Sequence, residues 1–183
     1  MLFSHSDPSK EDRELYIYGF FMLLSKVFYF LLTVLFGALF GIVINSILFF
    51  TMFSVLRSYA GGVHASRENI CIIFTTLSLL GSVAVIKIFI NFSLIIVPSS
   101  LLIFSTSAVW LLCPLDTESK RLTREERKEY KKKSVICTLV IILIAALALF
   151  VRLQNIFYVC STSLTLEGIL LIIGEGHEKS TYR

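Results

Sequence analysis

The sequence predicts an all-α fold: a polytopic integral membrane bundle of about six membrane segments, folded as one membrane domain. Three observations carry that reading. Hydrophobic residues make up 56% of the 183 and charged residues only 16%, against roughly one quarter charged in soluble domains. Mean hydropathy is +0.81. Apolar stretches approaching the ~20 residues needed to cross a hydrocarbon core of ~30 Å take up most of the chain.

The first 14 residues are polar, with an acidic balance and no small-residue cleavage site, so they do not read as a secretory signal. Between Glu14 and Arg57 the only charge is Lys26. Residues 15–56 are too long for one ordinary crossing and are read as two short spans. Gly37, Gly41, Asn45 and Ser46 supply small and polar residues for a turn or for close helix packing. The alternative is an interfacial helix over 15–25 followed by one long tilted span. Residues 57–69 form a polar island. Two spans, 70–86 and 92–112, follow as a helical hairpin broken at Lys87–Asn91, with Pro98 placed to kink the second.

Residues 113–134 are the one long hydrophilic interior segment, and their excess of Lys and Arg places them in the cytoplasm. Thr123-Arg-Glu-Glu126 has the form of a capping box, predicting a short exposed helix over 124–133. A second hairpin covers 135–173 and turns at Arg152–Asn155; a polar tail, 174–183, ends the chain. Two spans separate 57–69 from 113–134, so the two loops share the cytoplasmic side.

Within the island, His64 and Cys71 stand seven residues apart. A cysteine attacks through its thiolate and needs a base or a local field to form it near neutral pH. On one straight helix the two side chains would be about 10 Å apart along the axis, beyond hydrogen-bond reach. Gly61-Gly62 permits the turn that would fold His64 back over the start of the helix carrying Cys71. That helix's N-terminal partial positive charge also favours a thiolate. On these residues alone, a packing cysteine and a solvated histidine are the usual reading. A zinc site lacks a second ligand pair at suitable spacing, and no other metal or cofactor is called for.

Other candidates are ionic. Arg57 suits a carboxylate, either a substrate's or that of Glu167, and also suits a membrane-end anchor. Glu167 lies inside the last span, where an ionisable group marks function, a structural pair with Lys26, or a cytoplasmic-end residue facing water. The basic loop fits anionic membrane lipids or an acidic peptide. It has too few aromatics for nucleic acid. The four cysteines, Cys71, Cys113, Cys137 and Cys160, read as free thiols.

The segment Arg57-x-x-x-Gly-Gly-x-His64-Ala-x-x-x-x-x-Cys71, with Cys113-Pro-Leu-Asp-Thr117 leading into Arg124–Ser134, resembles the accessory gene regulator B (AgrB) family. The resemblance covers about Lys26 to Glu175. It implies a multi-pass endopeptidase of the bacterial cell membrane that cuts the C-terminal tail from a small, AgrD-like quorum-sensing propeptide. It makes His64 and Cys71 the catalytic pair, with Arg57, Gly62 and Glu167 at supporting positions. The implied chemistry is a thioester acyl-enzyme, resolved by cyclisation to a thiolactone or lactone. Lys131, Lys132 and Lys133 are then expected to hold the substrate's acidic tail, and a homodimer is an expected assembly. The rival readings are a noncatalytic peptide exporter or scaffold, and a small transporter.

Overall fold

The computed structural model describes residues 10–61, 68–115 and 123–181. Among these the chain forms six α-helices and no strand: α1 (Lys10–Leu39), α2 (Val43–Ala60), α3 (Glu68–Phe92), α4 (Ile96–Leu112), α5 (Arg124–Phe150) and α6 (Gln154–Thr181). Five are long and apolar enough to cross a membrane, and α4 is a shorter apolar helix.

Three chain reversals are tight and built alike. At the ends of α1, α3 and α5 a residue takes a left-handed conformation: Gly41 (φ 70°), Ser93 (φ 48°) and Arg152 (φ 63°). The next residue's N–H then reaches back five positions, Ile42 to Gly37, Leu94 to Phe89 and Leu153 to Ala148, at 2.8, 3.3 and 2.7 Å. This helix-ending geometry satisfies carbonyls that would otherwise be orphaned. The other two connections, after α2 and α4, are longer and leave the bundle at its opposite end, termed here the loop end.

The centre of the bundle is α6. It is buried around its whole circumference over part of its length, with Cys160, Ser161, Thr162, Ser163 and Leu164 in one unbroken buried run and Glu167, Gly168 and Leu171 buried beyond it. Lipid is as apolar as leucine, so helices in a bilayer associate through close packing and interhelical hydrogen bonds, which small and hydroxyl residues permit. Ser161 donates to the Pro98 carbonyl at 2.6 Å and Ser163 to the Phe49 carbonyl at 3.4 Å. A Cβ on Gly168 would stand 3.2 Å from the Ser105 Cα, so α4 lies backbone-close to α6. Replacing Gly168 by Leu should therefore destabilise the bundle by about 1–3 kcal/mol, read as a lowered melting temperature in detergent.

Several boundaries differ from the sequence reading. α3 runs through Lys87 and Asn91 and ends only at the Ser93 turn. Pro98 does not kink α4. It sits in the first turn, where a missing N–H removes no helical bond. α3 and α4 are consecutive, yet each packs on α6 rather than chiefly on the other. α5 is one helix from Arg124 to Phe150, opened by the expected capping box: the Thr123 Oγ1 accepts from the Glu126 N–H at 3.3 Å, and the Thr123 N–H donates to Glu126 Oε2 at 2.9 Å. α6 continues past residue 174 to Thr181.

Candidate active site

Both sequence motifs leave the bundle at one point. Ala60, the last residue of α2, is fully buried, and its carbonyl accepts from the Leu115 N–H at 3.1 Å and from Cys113 Sγ at 3.6 Å. Gly61 follows with φ 78° and ψ −162°, a region essentially confined to glycine. A Cβ there would meet the Leu115 carbonyl oxygen. The 113–115 segment thus straps the end of α2 and lies against Gly61. Ala60, Val109, Cys113 and Leu171 form one buried layer beneath the strap.

Cys113 is no rival nucleophile. Burial pushes its thiol up to about 11, with Ser134 alongside offsetting part of the rise, so it stays protonated near neutral pH. Cys137 and Cys160 are free thiols inside α5 and α6. Cys71 lies in the first turn of α3. His64 and Gly62 fall outside the described residues, and so does the expected contact between His64 and Cys71.

Arg57 does not open the loop as expected; it belongs to the last turn of α2. The helix persists because its apolar face, Phe49, Phe53, Leu56 and Ala60, stays buried to its end. From there Arg57 Nη1 stands 3.6 Å from Oε1 of Glu167, a carboxylate with no solvent exposure. Of the partners weighed for Glu167, Arg57 is the one observed. Lys26 instead donates to Ser58 Oγ at 3.3 Å.

The basic segment extends α5 past its buried part. Ser134 is buried beside Cys113, and residues 124–133 continue the same helix beyond it, about 15 Å at ~1.5 Å per residue. Consecutive residues on a helix point about 100° apart, so the three lysines do not form one surface. Lys131 and Lys132 are exposed. Lys133 pairs with Glu129 at 2.7 Å and lies over the Tyr59 ring at 5.8 Å.

Sequence reasoning missed the strap at 113–115, the buried Ser134 and the seating role of Gly168. The only signal for the strap was the adjacency of Cys113-Pro-Leu to the basic run, and a contact with Ala60 is not written in either segment.

Taken together, spans of sufficient length and apolarity around a polar central helix define a multi-pass helical membrane protein, with the end of α2 clasped by residues 113–115. The family model for accessory gene regulator B matches residues 2–171. The chain belongs to that AgrB family, which supports a role in accessory gene regulator quorum sensing. An AgrB-like protein of Clostridium perfringens (strain SM101) is 26% identical over 175 residues, covering 91% of this chain and 80% of its own. One from Listeria monocytogenes serovar 1/2a is 32% identical over 165 residues, covering 85% and 77%. No solved structure matches the chain significantly.

Proposed function

We propose that this protein is a cysteine endopeptidase of the bacterial cell membrane that removes the C-terminal tail of a small autoinducer propeptide at the cytoplasmic face. The observation that carries this reading is the strap. The Ala60 carbonyl holds both Leu115 N–H and Cys113 Sγ, so the His/Cys segment and the basic segment emerge side by side.

In this reading His64 takes the Cys71 proton and the thiolate attacks the scissile carbonyl carbon. The C–N bond breaks, the leaving amine takes the proton, and the N-terminal part of the substrate remains as a thioester on Cys71. A thiol or hydroxyl within the substrate then attacks the thioester, closing a thiolactone or lactone and restoring Cys71. Exclusion of water at the membrane boundary favours cyclisation over hydrolysis.

An amphipathic propeptide would reach the site along the inner leaflet, with its acidic tail on the basic projection of α5. Because Lys133 is already engaged by Glu129 and Tyr59, the tail falls chiefly to Lys131 and Lys132. Neutralising either one to Gln should raise KM about fivefold, on the order of 1 kcal/mol per lysine at low salt, and flatten its salt dependence. Lys133→Gln should do less. Equal effects at all three positions would argue against tail binding there.

The test of the reading is co-expression with the genomically adjacent small peptide in a host lacking both. A cleaved tail and a hydroxylamine-sensitive adduct on the protein are expected. Finding neither, with both proteins in the membrane, would sink it.

A further inference from the structure

One turn inside the strap, two adjacent residues of α6 address the two helices that form it. Glu167 faces α2 and meets Arg57 at 3.6 Å. Gly168 faces α4 and seats it, with the Ser105 Cα 3.2 Å from where a Cβ would stand. The next layer repeats the arrangement: Leu171 of α6 is buried with Ala60 of α2 and with Val109 and Cys113 at the end of α4. Positions 167, 168 and 171 thus set where α2 and α4 stop relative to each other, and hence where the chain to His64 begins.

Glu167 has no solvent exposure and neither carboxylate oxygen has a hydrogen-bond partner. Burying a carboxylate in this way is costly unless an opposite charge stands beside it. Arg57 is the charge provided, and its side chain keeps 26% exposure at the edge of the bundle. The geometry is that of an arginine turned inward to an internal carboxylate, not one held out for a substrate.

We propose that Arg57 and Glu167 are a positioning pair. They lock the last turn of α2 onto α6 so that Gly61 leaves the bundle in register with the 113–115 strap, and Arg57 acts through Glu167 without touching the substrate. This rests on the endopeptidase reading for its kinetic consequences, but not for its structural ones.

The test compares Arg57→Gln, Glu167→Gln, the double neutral variant and Arg57→Lys in the full-length protein in membranes. Two quantities are read: steady-state processing of the propeptide, and the rate of Cys71 alkylation by iodoacetamide, followed on the Cys71 peptide by mass spectrometry. Each Gln variant leaves a lone buried charge or an unpaired end of α2. Its kcat should fall about 10²-fold, the scale of an ångström-sized misplacement, with KM within about threefold. Cys71 alkylation should change in rate in both. The double variant removes the lone charge and leaves two amides able to hydrogen-bond across the same gap, and should recover most of kcat and the wild-type alkylation rate. Arg57→Lys keeps the charge pair and should retain kcat within about fivefold.

If Arg57 instead bound substrate, Glu167→Gln would behave as wild type, the double variant would be no better than Arg57→Gln, and Arg57→Lys would raise KM. Any of these overturns the proposal. Should Glu167→Gln fail to accumulate in the membrane, Arg57→Lys and the double variant decide. A wild-type protein that cleaves no propeptide defeats the endopeptidase reading alone; the alkylation rates of the same variants still decide whether the pair positions the segment.

Discussion

Cys71→Ser should abolish tail release, lowering the single-turnover rate by at least about a thousandfold, while leaving the protein in the membrane at normal abundance. The substitution changes one atom at the start of α3. A serine hydroxyl is far less acidic than a thiol, so a site that works by forming a thiolate ahead of attack leaves serine almost wholly un-ionised. The hydroxylamine-sensitive adduct should disappear as well, since an ester on serine resists mild hydroxylamine. His64→Ala should cost a comparable factor, and the double variant should be little worse than either single one, because a nucleophile and its base act as one unit. Cys137→Ala, at a half-buried position on α5, should process normally. Retained processing in Cys71→Ser would mean that the cysteine merely packs. The rival exporter or scaffold would then account better for the chain.

The membrane spans were legible because length and apolarity decide them, and both can be read from the sequence. Helix neighbours were not. Hydropathy points to the most apolar segments, yet the most buried helix is α6, with Ser161, Thr162, Ser163 and Glu167 among its buried residues. In a bilayer the small and hydroxyl-bearing helix packs at the centre and the greasier ones face lipid, which is why α3 and α4 lean on α6. The pairing of Glu167 with Arg57 was legible only as one of several options, since choosing between Arg57 and Lys26 requires knowing that α2 stands beside α6. Arg57 itself was misplaced by one turn because charge suggested a loop, whereas its neighbours Leu56 and Ala60, both fully buried, kept the helix going.

Gly61 shows the same limit from the other side, and carries the second large expected effect. From the sequence, its use was to bend the chain toward His64. The structure supplies a different and stronger demand: a φ of 78° with ψ of −162° and the Leu115 carbonyl lying where a side chain would begin. Gly61→Ala must either hold a backbone conformation that costs on the order of 1–3 kcal/mol or push the strap away from Ala60. The carbonyl is backbone and cannot rotate aside as a side chain would. The second outcome breaks the Leu115 to Ala60 hydrogen bond and moves the root of the His64 segment relative to α5. Processing should therefore drop between about tenfold and a hundredfold in kcat, with the protein still inserted and its melting temperature lowered. Gly19→Ala is the matched control. Gly19 lies inside α1 with nothing within 4 Å of an added Cβ, so alanine there should stabilise the helix by about 0.5–1 kcal/mol and leave processing unchanged. If Gly61→Ala processed at the wild-type rate, the strap would not set the position of the catalytic segment, and the close emergence of the two motifs would have no bearing on the chemistry.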